Sequence, residues 1–144
     1  MDGTRLEIEI TENALIHDSR IARGVVDGLR EQGVSVALDD FGTGFSSLYH
    51  LRELPFDKLK IDKSFMRALD TDADSARYVA AIIGLGHALG LELTAEGIED
   101  EATMLRLREL GCTFGQGYLF GRPTPASGAA ALLCGGGVKA LAAE

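Results

Sequence analysis

The chain has 144 residues and a formal net charge of −8 at pH 7. That length supports one domain with a core, and 46% hydrophobic residues mark a globular chain rather than a disordered one. The negative balance argues against a general nucleic-acid binder, which presents a basic face, but it leaves room for a small phosphorylated ligand held through metal.

In chain order, short apolar segments alternate with helical ones. "RLEIEIT" (residues 5–11) reads as a strand. "ENALIHDSRIARGVVDGLREQG" (12–33) reads as one helix, with Ile21, Val25 and Leu29 at four-residue spacing and Gly33 as its stop. "VSVALD" (34–39) is the second strand, and "SSLYHLRELPFD" (46–57) a short helix closed by Pro55. "KLKID" (58–62) is the third strand. "DADSARYVAAIIGLGHALG" (72–90) is a helix with acidic residues at its start and Gly90 past its end. "LELTAE" (91–96) is the fourth strand. "DEATMLRLRELG" (100–111) is a helix capped by Asp100 and stopped by Gly111, and "CTFGQGYLF" (112–120) is the fifth strand. The Ala- and Gly-rich residues 128–144 read as a weak helix and a frayed tail.

Strands joined by helix-length crossovers predict a parallel sheet. An open doubly wound sheet and part of a (β/α)8 barrel both fit that alternation. The strand faces separate them. Side chains alternate across a strand, so Leu6, Ile8 and Ile10 oppose Glu7, Glu9 and Thr11. Val36 and Leu38 oppose Ser35, Ala37 and Asp39. Leu59 and Ile61 oppose Lys58, Lys60 and Asp62, and Leu91, Leu93 and Ala95 oppose Glu92, Thr94 and Glu96. A doubly wound sheet is covered by helices on both faces and wants both apolar. One greasy and one polar face per strand predicts a barrel with helices outside and polar groups gathered at its mouth.

Glu9, Asp39, Lys60, Asp62 and Glu96 then point inward near the C-terminal ends of successive strands, where barrel chemistry sits. Gln116 and Asp40 fall at the same level. Two adjacent aspartates repel by about 4 kcal/mol at ~4 Å and an effective dielectric of ~20, so Asp39 and Asp40 call for water or a cation. An isolated Asp-Asp before glycine is most often a solvated turn; agreement among the strands on face and end is what favours a site. The donors are oxygens plus one lysine, which suits Mg2+ or Mn2+ better than zinc. Asp40 is expected as the first loop residue turning back, with Gly42 and Gly44 allowing the turn.

The remaining candidates are weaker. His17, His50 and His87 share no spacing, and Arg122 beside Pro123 reads as an exposed loop arginine with phosphate contact as the alternative. Cys112 and Cys134 share no motif spacing and are expected as reduced thiols. No secretory apolar region and no run of about 18 apolar residues is present, so neither export signal nor membrane span is expected, and a cytoplasmic location follows.

The segments "EITE" (9–12), "DDFGTGFSSL" (39–48), "LPFDKLKIDKSF" (54–65), "AEGIE" (95–99) and "GCTFGQGYLFGRP" (111–123) together touch nearly the whole chain. In this order they resemble the EAL domain, the bacterial cyclic-di-GMP phosphodiesterase module. The resemblance implies a (β/α)8 TIM-type fold that cuts one phosphodiester of cyclic-di-GMP to give linear pGpG with Mg2+ or Mn2+, two ions in the complete domain. By motif match, Glu9, Asp39 and Asp40 would be metal ligands. Lys60 would bind and polarise the water or phosphate, and Glu96 would ligate metal or act as general base. Glu12 would anchor the "DFGTGFSS" loop, Gln116 would help hold the water or second metal, and Asp62 and Glu99 would support.

The resemblance also has a gap. The family's signature Glu-Ala-Leu, a later Asn ligand and a substrate-gripping Arg have no counterpart here, so about three N-terminal strands are expected to be missing. The expected architecture is an incomplete barrel of about five parallel strands with outer helices. Residues 1–127 would be the C-terminal part of an EAL domain and 128–144 a terminal helix and tail. With two raw sheet edges, the chain alone is expected neither to fold as a lone monomer nor to turn over substrate, and a homo-oligomer would be the natural rescue. Upstream sensor or GGDEF-type domains would complete a full-length protein. Three other readings stay open: an inactive cyclic-di-GMP-binding or regulatory module, an inert truncated fragment, and an enolase-like proton-abstracting barrel. The Asp-Asp pair followed by Gly-Thr-Gly, and the Lys-Ile-Asp strand, favour the phosphodiesterase.

Overall fold

The computed structural model describes residues 3–15, 19–43, 48–69, 71–126 and 128. Five parallel strands, β1 (Glu7–Thr11), β2 (Ser35–Phe41), β3 (Lys58–Ile61), β4 (Glu92–Ala95) and β5 (Phe114–Gly115), pair in unbroken sequence order. A doubly wound sheet reverses direction from its first strand and so carries helices on both faces. A sheet that always adds its next strand on the same side keeps its right-handed crossovers on one face. The molecule is therefore α/β, five staves of a TIM-type barrel with outer helices. Among the described residues the sheet does not close: β1 and β5 each pair on one side only.

The helices are α1 (Ser19–Glu31), α2 (Leu48–Glu53), α3 (Ala73–Ala88) and α4 (Glu101–Glu109). Val36, Leu38, Leu59, Ile61, Leu93 and Ala95 form the greasy face of the sheet, each at most 2% exposed. Val26 from α1, Val79 and Ile83 from α3 and Leu107 from α4 cover it. Asp72 caps α3 by accepting from the Ser75 N–H at 2.9 Å, and Asp100 caps α4 by accepting from the Thr103 N–H at 2.8 Å. Gly33, Gly90 and Gly111, the three expected helix stops, all have left-handed φ of 71° to 86°. Cys112 is a buried free thiol, and burial pushes it up to about 11.

Four local expectations are corrected. The helix expected over 12–33 is a 3-10 turn at Glu12–Leu15 followed by α1 from Ser19. Residues three apart eclipse on a 3-10 turn, which lets Glu12 and Leu15 both be buried. On α1, which packs against β2, Val26 is buried while Ile21 and Val25 are 68% and 54% exposed. The fifth strand contracts from 112–120 to Phe114–Gly115. Beyond it the chain bonds the loop after β4 instead: Ile98 N–H donates to the Gln116 carbonyl at 3.1 Å, and Leu119 N–H to the Ile98 carbonyl at 3.0 Å. Finally, Asp40 lies within β2, not in a following loop. Of the tail expected over 128–144, only Gly128 is among the described residues; Cys134, His17 and Gly44 also lie outside them.

One carboxylate ties three elements at the end of the sheet away from the site. Asp57 accepts from the Val36 N–H at 2.9 Å and pairs with Arg30, in the last turn of α1, at 2.9 Å. Asp57→Ala leaves a part-buried backbone donor without its acceptor, so the expected loss is about 2 kcal/mol in urea unfolding. A change under ~0.5 kcal/mol would show that the clamp contributes nothing.

Candidate metal and catalytic site

Adjacent strand residues normally face opposite ways, yet Asp39 and Asp40 serve one site. The pairing register explains it. Leu38 pairs with Leu59 and Phe41 with Ile61, so β2 spends three steps where β3 spends two. The extra residue is a β-bulge, and Asp40 takes it up at φ 55°, the one non-glycine residue with positive φ among those described. Aspartate tolerates the left-handed region better than most side chains. Gly42, at φ 95°, then turns the chain, and Thr43 donates its hydroxyl to the Asp40 carbonyl at 2.8 Å.

Lys60 projects from β3 into the middle of the acids and is 4% exposed. Its ammonium lies 2.6 Å from Glu9 Oε1 on β1, 2.6 Å from Glu96 Oε1 just past β4, and 3.3 Å from Asp39 Oδ1 on β2. Burial by itself would push this lysine down. The hydrogen bonds it donates to Glu9 and Glu96, with the charges of Glu96 and Asp39, outweigh burial and hold it above its ordinary value. Gln116, just past β5, donates from Nε2 to Glu96 Oε1 at 2.7 Å. The site thus collects side chains from all five strands or their C-terminal ends.

Asp39, Asp40 and Glu96 each offer an oxygen within 4.8 Å of the others. Asp39 Oδ1 is buried and receives no hydrogen bond, because the Lys60 ammonium is near it but does not donate to it. An unmet buried acceptor costs about 1–3 kcal/mol, a cost that a bound cation removes. An all-oxygen set with an orphaned carboxylate oxygen fits a hard divalent ion such as Mg2+ or Mn2+.

The other sequence-predicted residues lie as follows. Glu9 is brought to Lys60 rather than into the three-carboxylate cluster. Asp62 caps the 3-10 helix Lys63–Ala68 by accepting from the Ser64 N–H at 2.9 Å. Burial would raise its carboxyl, but the bonds from Ser64 win and hold it low. Glu12 is 7% exposed, and neither of its oxygens has a hydrogen-bond donor; part of the loop it is expected to anchor, residues 44–47, lies outside the described residues. Glu99 is exposed and lines a cleft of about 640 Å3 that opens beside Glu96 and Gln116. Sequence reading missed Lys63, Arg67 and Tyr118 in that cleft, whereas Arg122, weighed there as an exposed loop arginine, is exposed and stacks 4.3 Å over the Tyr118 ring. The available signal was an aromatic and an arginine four residues apart after a glycine-rich strand end.

Two site carboxyls are raised. Burial lifts Asp40, helped by the charges of Asp39 and Asp62 against Lys60 and Lys63. Burial also lifts Glu96, with Asp39 and Glu9 adding to it and Lys60 opposing. A cation must displace their protons. Metal affinity is therefore expected to fall as pH drops into the window just above the ordinary carboxylate value of about 4. Without metal, the folded chain binds more protons than the unfolded chain in that window, so these two groups make stability rise as pH falls through it. Mn2+ titrations followed by electron paramagnetic resonance over a pH series check this; a midpoint at or below the ordinary carboxylate value would contradict it.

Fold and site together define a class: a parallel α/β barrel sheet with clustered carboxylate oxygens and a caged lysine at the C-terminal strand ends. The chain belongs to the EAL domain family, whose model matches residues 1–123. It is 43% identical over 126 residues to the bifunctional diguanylate cyclase/cyclic di-GMP phosphodiesterase MucR of Pseudomonas aeruginosa, covering 88% of this chain and 18% of MucR. The MucR phosphodiesterase solved as a c-di-GMP complex matches 90% of this chain and 52% of that one, with a TM-score of 0.85 and 42% identity. A manganese/cy-diGMP complex of Klebsiella pneumoniae BlrP1 matches 85% of this chain and 31% of that one, with a TM-score of 0.79 and 32% identity. The chain therefore spans less than a fifth of MucR and about half of the solved MucR chain. No helix among the described residues is long and apolar enough to cross a membrane.

Proposed function

We propose that this chain is the C-terminal part of a metal-dependent phosphodiesterase that hydrolyses cyclic-di-GMP to pGpG, working in the cytoplasm with two Mg2+ or Mn2+ ions. The observation that carries the reading is the Lys60 ammonium held by Glu9 and Glu96 beside the clustered oxygens of Asp39, Asp40 and Glu96. Glu9, Asp39, Asp40 and Glu96 would hold the ions, which supply Lewis acidity toward the phosphate and lower the pKa of the attacking water. Glu96 takes the proton from the attacking water as the water oxygen bonds to phosphorus and the bond to the ribose oxygen breaks, and the departing ribose oxygen takes a proton from solvent to become a hydroxyl. Gln116, bonded to Glu96 Oε1, fixes the orientation of that carboxylate. Lys60 places positive charge where the phosphoryl oxygens gain negative charge. Asp62, Glu99 and Glu12 support the loops around the site. The match to a bifunctional relative supports an upstream GGDEF-type domain in a longer protein.

A purified protein carrying this segment within a complete domain is expected to convert cyclic-di-GMP to pGpG with Mn2+, read by chromatography, and to stop on chelation. Tight binding of the dinucleotide with no product would assign the chain to a binding module instead.

A further inference from the structure

We infer that Lys60 is the resident counter-cation of the acid cluster and competes with divalent metal for Glu9 and Glu96, so that it sets how tightly the ion is held. This rests on the metal reading above and concerns a second role for the same side chain.

The geometry carries it. Asp39, Asp40 and Glu96 cluster, and among the described residues Lys60 is the one ammonium paired with Glu9, Asp39 and Glu96. Lys60 therefore does for the empty-handed protein part of what a cation does: it neutralises acids that would otherwise repel one another. It does so on oxygens a cation would want. Glu96 is one of the three clustered carboxylates, and its Oε1 already accepts from Lys60 at 2.6 Å and from Gln116 at 2.7 Å. Both lone pairs of that oxygen are engaged. Glu9, drawn to Lys60 at 2.6 Å, stands outside the cluster. Asp39 Oδ1 is buried and has no hydrogen bond. An ion seated among these acids also meets the like charge of an ammonium that burial shields from water. Removing the ammonium while keeping its stem frees Glu9 and Glu96 and deletes that repulsion.

The test uses a protein carrying this segment within a complete domain, Mn2+ alone as probe, and two variants. Lys60→Met keeps the length of the side chain and loses the charge; Lys60→Arg keeps the charge. Mn2+ binding is read by electron paramagnetic resonance, and thermal unfolding is measured with and without Mn2+. The expected result is about tenfold tighter Mn2+ binding by Lys60→Met, a lower Tm without metal, and a larger Mn2+-induced rise in Tm than in wild type. Lys60→Arg is expected to bind Mn2+ as wild type does. Should Lys60→Met unfold without metal, recovery of its fold at Mn2+ concentrations that leave wild type unsaturated is the same result. Equal or weaker Mn2+ binding by Lys60→Met, or no such recovery, overturns the inference while leaving the metal reading intact. Wild type that binds no Mn2+ overturns both.

Discussion

In a complete domain carrying this segment, asparagine at position 39 is expected to leave a folded protein without the proposed cyclic-di-GMP hydrolysis. The substitution keeps volume and shape on the inner face of β2, where the Asp39 side chain is 18% exposed. It removes the charge from one of three clustered carboxylates and replaces an acceptor-only group with an amide. Turnover with Mn2+ should fall by more than about 100-fold, since even residues that merely support metal ligands cost 10–100-fold when changed. Stability should change little, because the lost contact to Lys60 at 3.3 Å is offset by relief of repulsion from Asp40. Glu96→Gln should be equally inactive but less stable, because Glu96 also holds Lys60 and Gln116. Near-wild-type turnover in Asp39→Asn, with an unchanged Tm, would remove the acid cluster from the catalytic centre.

Gly117→Ala should be strongly destabilising. A Cβ there would sit 2.2 Å from the carbonyl oxygen and 2.3 Å from the nitrogen of Ile98. Both are backbone atoms, and both are already bonded across to this segment: Ile98 N–H to the Gln116 carbonyl and the Ile98 carbonyl to Leu119 N–H. No rotamer change can make room, so the loop after β4 and the chain after β5 must separate. The expected cost is about 3–5 kcal/mol. The same separation carries Gln116 off Glu96, so activity should fall even below the unfolding midpoint. Gly121→Ala, where nothing lies within 4 Å of the added atom, is the control. Equal Tm values for the two variants would contradict the close approach.

Much of this was legible in the sequence because it rests on period and punctuation. The alternation of Ile8 and Ile10 with Glu7 and Glu9, and of Leu59 with Lys58 and Lys60, placed the greasy face under the helices and the charged face inward. Asp72, Asp100 and the stop glycines act within one helical turn of their own position, so local chemistry sufficed. What was not legible depends on partners distant in the chain. The Asp39–Asp40 bulge exists only relative to β3. The truncation of β5 follows from a better set of bonds to Ile98, some 18 residues away in sequence. Ile21 and Val25 have the spacing of core residues, yet α1 packs on β2 through Val26 and leaves them exposed. Periodicity reports that a face is apolar, not that something covers it.

The unbroken strand order has a kinetic meaning. Every strand finds its partner 20 to 34 residues away in the chain, with a helix or short turn between them. Closing loops of that length costs little more at the long end than at the short, and no strand must wait for a distant segment to be synthesised. The sheet can therefore be laid down stave by stave as the polypeptide leaves the ribosome, β2 onto β1, then β3 onto β2. The candidate site, which runs from Glu9 on β1 to Gln116 past β5, is complete only once β5 is in place.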